Sequence, residues 1–343
     1  MGIFYNNEYD GYINEFNTNF NIMEETYKLL YESQLEYNKI FTETGITEGY
    51  LLESEGSFKE KVKALIKRFI EWLKKIKDNI KKFFKKSKAK IHIQELEYEK
   101  AIKEWKSMQK DTDYKYEMEE FEAEYITPNN LYDCMESLSS ISYSLNPYKF
   151  TDSESVGSEI EKSFGTLYKD FDKIKSKGMK DFNTDSELIS SIKEFVTKKE
   201  KINITKSKVN DIIHYDNDTL FNNYFDNIFN RISTSLDKYT KDINKIQTDY
   251  KELIDKYGRD ICMKNINKYL DTIKRMSMLY TSCFGIYSEA RSLIIANHTA
   301  ILNKAIQNLD DKSKKVIKNN IFLGNNKFRY ETFEPEKFEF EKF

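Results

Sequence analysis

From Phe58 onward, apolar side chains return at Val62, Leu65, Phe69, Trp72, Ile76, Ile80 and Phe83, in steps of four or three, with Lys filling most of the places between. A strand cannot keep that period; a helix can, and it gathers all eight on one side. Ile66, Ile70, Leu73 and Phe84 broaden that side. At 1.5 Å per residue the span 58–90 predicts an amphipathic rod of roughly 48 Å. Ser57, with Glu60 three places on, reads as its capping box.

The same spacing recurs along the chain. Ile228, Ile232, Leu236, Tyr239, Ile243, Ile246, Tyr250, Leu253 and Tyr257 hold it until Gly258. After Asp260 it resumes at Ile266, Tyr269, Ile273, Met276, Tyr280, Cys283, Tyr287, Ala290, Ile294 and Ile301, reaching to about Leu309. So short a connection predicts that these two helices fold back as an αα-hairpin. An N-terminal stripe runs through Phe16, Phe20, Met23, Tyr27, Leu30, Gln34, Tyr37 and Phe41. An acidic stretch at 93–125 carries Leu96, Trp105, Met108, Met118 and Phe121, and is expected to be a helix paired with the basic one or facing another partner. Pro128 opens a further helix with Leu131, Met135, Leu138, Ile141 and Leu145; others are expected from Ser158 to Gly178 and over 186–201.

Three prolines and eleven glycines in 343 residues are too few for the frequent turns of an all-β chain. Apolar residues at 39%, with 24 Tyr and 24 Phe, suffice for a packed core. The expectation is an all-α fold: an elongated helical bundle with long amphipathic or coiled-coil helices, a C-terminal αα-hairpin, and no sheet outside the tail. Composition divides the chain into an acidic, Asn-rich helical segment and linker at 1–56, and a cationic helix followed by an acidic one at 57–127. A helical bundle at 128–310 and a Phe-and-charge tail at 311–343 complete it.

The net charge of −2 hides an asymmetry. Residues 59–90 hold fourteen basic side chains against Glu60, Glu71 and Asp78, a net of +11, which leaves −13 for the rest. Lys63, Lys67, Lys74, Lys81 and Lys85 lie along one flank and form the candidate polyanion-binding set. Lys in place of Arg favours loose contact with phosphates over bidentate recognition. Two other uses of this helix stand beside that one. Its lysines can simply solvate the outer face of a core helix, or Trp72, Phe69, Phe83 and Phe84 can lie in a membrane interface with the lysines at the headgroups.

Phosphate-loop, dinucleotide, zinc-protease, nucleophile-elbow and EF-hand signatures are missing. His92, His214 and His298 sit in three separate segments. The HYDND run at 214–218 reads as turn and cap chemistry, not as a metal site. Cys134, Cys262 and Cys283 are odd in number and read as reduced core residues. No catalytic residue, metal ligand or cofactor is assigned. The N-terminus lacks a signal-peptide pattern, and no apolar run of about 18 residues reads as a transmembrane helix. Synthesis in a cytoplasm is expected.

In layout the chain resembles virion structural proteins of tailed bacteriophages of Gram-positive hosts. The shared features are the acidic N-terminal helix, the ESEG linker at 53–56, the lysine/aromatic rod VKALIKRFIEWLKKIKDNIKKFFKK at 62–86, and the late aromatic helix YTSCFGIYSEARSLIIANHTAIL at 280–302. The resemblance implies a non-enzymatic virion component in the head interior or at the portal and tail. Its partners would be other virion proteins, further copies of itself, or non-specific DNA. It also implies processing by a head-maturation protease, which cuts after Glu before a small residue: Glu55–Gly56 has that form, although Glu53 stands where the family has an apolar residue. The alternatives are a membrane-active helical protein of pore-forming or lysis type, and a bacterial cytoplasmic coiled-coil adaptor.

Overall fold

The computed structural model describes residues 21–44, 55–109, 117–140, 168–215 and 218–309. In chain order these hold α1 (Ile22–Thr44), α2 (Glu55–Gln109), β1 (Phe121–Ile126), α3 (Pro128–Ser140), α4 (Asp185–Val196), β2 (Lys199–Ile204), α5 (Lys206–Tyr215), α6 (Asp218–Tyr257) and α7 (Arg259–Gln307). A further helical stretch lies at 168–175. The fold is all-α, apart from one small two-stranded sheet.

Its centre is a parallel pair, α2 beside α7. Arg259 stands over the Phe58 ring at 5.2 Å, Phe83 meets Phe284 at 5.9 Å, and Arg291 reaches Glu95, so the partner numbers rise together. Flanking helices run the other way. On one side α1 pairs Glu43 with Arg68 and Glu36 with Lys75. On the other α6 pairs Asp237 with Lys77 and Asp226 with Lys88. The predicted hairpin of α6 and α7 is present, joined by Gly258 alone at φ +76°, a backbone region that glycine enters without a Cβ penalty. From Leu279 to Ser288 every residue of α7 is buried: Phe284 packs against Phe83 and Phe84 of α2 and Phe225 of α6, Gly285 against Thr26 of α1, and the Tyr287 hydroxyl donates to Cys134 O of α3.

Three local expectations are revised. First, α1 buries a face that keeps Tyr37 of the predicted stripe but is otherwise shifted by one position: Ile22, Thr26, Leu29, Ser33, Tyr37, Ile40 and Thr44 are inside, while Tyr27 is 56% exposed. Thr26 and Ser33 can be buried because each hydroxyl donates to a carbonyl one turn back, Ile22 O and Leu29 O, at 2.7 Å. Their small size then lets α1 lie close to its neighbours.

Second, the basic and acidic stretches do not form two helices. No glycine or proline interrupts 57–127, and α2 continues through the charge change to Gln109, about 82 Å at 1.5 Å per residue. It starts at Glu55, so Ser57 lies within its first turn and does not precede it. Third, Phe121 belongs to a strand. Phe121, Ala123 and Tyr125 alternate with Glu122 and Glu124, and β1 pairs antiparallel with β2, Phe121 opposite Ile204 and Ile126 opposite Lys199. The helix expected over 186–201 accordingly ends at Val196. Asn297 of α7 holds the sheet to the bundle, accepting from Ile126 N at 3.1 Å and donating to Glu124 O at 2.8 Å.

The buried residues of all these elements form one contiguous hydrophobic core. The expectations for Phe16 and Phe20, the linker up to Ser54, Ile141 and Leu145, the start of the helix from Ser158, and the tail at 311–343 lie outside the described residues.

Candidate polyanion-binding face

The apolar side of α2 is spent on the core. Phe69 is fully buried, Trp72 is 3% exposed, and Phe83 and Phe84 are 5% exposed. The Trp72 indole N–H donates to Ser33 O at 2.9 Å, and its ring lies 5.3 Å from Tyr37 and 5.0 Å from Phe69. Phe84 sits in a stack of rings from three helices, 4.2 Å from Phe229, 5.2 Å from Phe225 and 5.7 Å from Phe284. In this arrangement none of these aromatics faces outward.

The five candidate lysines lie on the opposite flank. At 100° per residue they share an arc of about 40°, and Lys63 to Lys85 span about 33 Å of helix. Lys67, Lys74, Lys81 and Lys85 are exposed, and Lys63, half-exposed, contacts Glu60 at 3.3 Å. The structure thus keeps all five on one surface. Their surroundings are uneven. Glu71 and Asp78 stand within a turn of Lys74, whereas from residue 79 to residue 94 α2 carries no acidic side chain. Positive charge is therefore densest around Lys81, Lys82, Lys85 and Lys86.

Sequence spacing alone could not show what flanks this ridge. Lys77 and Lys88, one position to the α6 side, are drawn off by that helix: Lys77 Nζ lies 2.6 Å from Asp237, and Lys88 Nζ lies 3.0 and 3.2 Å from the two oxygens of Asp226. Beside the Lys88–Asp226 tie lies a cleft between the two helices. Lys81, Lys85 and Lys88 form one wall, Asp226 and Asn230 the other, and Phe229 is partly exposed at its base.

Gly56, the residue after the candidate scissile bond, is exposed in the first turn of α2, and a Cβ built there would meet nothing within 4 Å. The remaining chemistry-bearing residues are spent on packing. His298 is fully buried, its Nε2 bonded to Ile126 O at 3.2 Å and its ring stacked on Tyr125. Residues 216 and 217 of the HYDND run lie outside the described residues; His214 is exposed. Cys134, Cys262 and Cys283 are free thiols inside the core, and desolvation pushes Cys262 up to about 11 and Cys283 up to about 12. Among the described residues no three His, Cys, Asp or Glu side chains converge as a metal site. Among them, too, no helix is long and apolar enough to cross a membrane.

One buried charged group had no signal in the sequence. Arg291 of α7 is fully buried, donates to Glu95 Oε1 at 3.2 Å and lies over the Phe221 ring at 5.1 Å. It ties the central pair in register and has no route to solvent.

No family model, curated protein or solved structure matches this chain.

Proposed function

We propose that this is a non-enzymatic structural and interaction protein that grips a polyanion through the lysine ridge of α2. One observation carries the reading: the aromatic half of α2 is buried, while Lys63, Lys67, Lys74, Lys81 and Lys85 share one outward surface. A helix in a core needs a solvated face, and mixed charges would solvate it equally well. Residues 59–90, net +11, concentrate one sign instead. Ammonium groups on flexible stems hold phosphates without reading bases.

The resemblance to tailed-phage virion proteins supports a particle as the setting, with packaged nucleic acid and neighbouring subunits as partners. The membrane-active alternative is the weaker one. Bringing Phe69, Trp72, Phe83 and Phe84 to a bilayer requires α2 to leave α1, α6 and α7 together.

The test is binding of arbitrary duplex over a salt series. Neutralising five phosphates gives a slope of about −4.5 in log K against log salt. Reversing Lys63, Lys67, Lys74 and Lys81 to Glu should abolish binding while leaving the melting temperature nearly unchanged, since three of the side chains are exposed and Lys63 gives up only a surface contact with Glu60. A slope near zero, or full binding by the reversed variant, sinks the ridge as the contact. Leakage of anionic vesicles that is lost on Trp72→Ser would favour the membrane alternative, and co-purification with a host protein alone would favour the adaptor. Peptide mass spectrometry of purified particles decides the setting, since absence of the chain removes the virion reading.

A further inference from the structure

The cleft between α2 and α6 has chemistry that the ridge lacks. Its base is the outermost ring of an aromatic stack: Phe284, Phe225 and Phe84 are buried, and Phe229, 4.2 Å from Phe84 and inclined to it by 23°, is the member that reaches the surface. Beside that ring stand Lys81 and Lys85, in the stretch of α2 free of acidic residues. Opposite them Asn230 offers an amide, and the Asp226 carboxylate is held in place by Lys88. The cleft is small and open to solvent, about 70 Å³, so a flat ring meets it at its mouth and is not enclosed by it.

We propose that this cleft is a nucleobase pocket, in which a base of a single-stranded nucleic acid stacks on Phe229 while its flanking phosphates lie on Lys81 and Lys85. The proposal rests on the polyanion reading and goes beyond it, because an ammonium ridge alone does not distinguish a strand from a duplex. A flat ring continues the existing stack, whereas a base pair inside a duplex presents no free face to Phe229. The amide and carboxylate on the far wall can accept from exocyclic amino groups or, through Asn230, donate to base carbonyls. Asp226 also makes the pocket less attractive to phosphate by itself, so the phosphates belong on the opposite wall.

The experiment compares three ligands of equal length at one low salt concentration by fluorescence anisotropy: a thymidine homopolymer strand, an abasic strand and a duplex. The homopolymer is expected to bind about tenfold more tightly than the abasic strand, a single stacked base being worth about that much, and more tightly than the duplex. Phe229→Leu, which keeps the apolar fill of the core, should erase the margin over the abasic strand and leave abasic binding unchanged. Phe229→Ala should do the same if it folds. Equal binding of the homopolymer and the abasic strand, tighter binding of the duplex, or a margin that survives Phe229→Leu overturns the pocket while the ridge stands. No binding of any of the three overturns both.

Discussion

Arg291 and Glu95 bring opposite charges into the core from two parallel helices. Each charge has lost its water, so the pair holds together chiefly because either member alone is worse. Arg291→Met, which strands the Glu95 carboxylate, should therefore cost about 3–5 kcal/mol in denaturant unfolding. Adding Glu95→Leu to that variant should recover most of the loss. A double variant no more stable than the single one would mean that the charges themselves, and not their pairing, support the fold. His92 adds a pH dependence at the edge of this cluster. Its pKa is raised above 6.5, first by the Glu95 carboxylate facing it and more weakly by Glu99, with partial desolvation opposing. At 3.9 Å the His92–Glu95 contact is an ion pair and not a formed hydrogen bond. A raised folded-state value means stability fully present below about pH 6.5 and lost as pH climbs through the folded value. The gap in melting temperature between the parent and His92→Gln should accordingly be larger at pH 5.5 than at pH 8. The reverse order would rule out this pairing.

At the scale of elements, α1 and α7 approach each other tightly at Gly285. A Cβ placed there would meet three atoms of Thr26: Oγ1, Cγ2 at 2.5 Å and Cβ at 2.9 Å. Alanine is the better helix former by about 1 kcal/mol, but overpacking two helices costs about 1–3 kcal/mol, so Gly285→Ala should destabilise on balance. Thr26→Ala in that background removes Oγ1 and Cγ2 but keeps the Cβ at 2.9 Å, so it should restore part of the stability, as read by thermal unfolding. This contact also explains why α1 buries Thr26 and Ser33 in preference to Tyr27: the larger ring would hold the two helices apart. On α2 a similar division of labour holds along one helix, with rings inward on α1, α6 and α7 and ammonium groups outward. Trading a ridge lysine for glutamate alters the surface potential and little else.

For the whole molecule, one core joins the bundle to the sheet and the short helices around the C-terminal half of α7. That continuity bears on processing at Glu55–Gly56. A cut there would sever α1 from α2 covalently, yet α1 would keep its ion pairs to Arg68 and Lys75, the Trp72 hydrogen bond to Ser33, and its buried face. The expected outcome is two fragments that co-elute under native conditions and separate in denaturant. Gly56→Val, whose Cβ meets nothing within 4 Å at this exposed position, should block the cut without disturbing the fold. Intact mass of the protein from particles checks both, and a full-length chain in mature particles ends the processing idea.

Much of this was legible in the residues. The stripe of α7, that of α6 as far as Ile246, the apolar side of α2 and the common flank of its five lysines follow from a repeat of 3.6, because each is a property of one helix, and Gly258 marks where one stripe stops and the next begins. Partners are not encoded locally. The repeat says that Phe69, Trp72 and Phe84 share a side of α2, but only α1, α6 and α7 decide that this side is covered. In the same way β1 was hidden by its glutamates, which suit a helix, until β2 from nearly eighty residues away supplied the hydrogen bonds that make its alternation count. Arg291 reads as a surface residue until Glu95 meets it, and the cleft at Phe229 exists only where α6 lies against the ridge. Period and charge thus determined what each helix presents; the tertiary pairing decided what each face meets, because those contacts join residues that no local window contains.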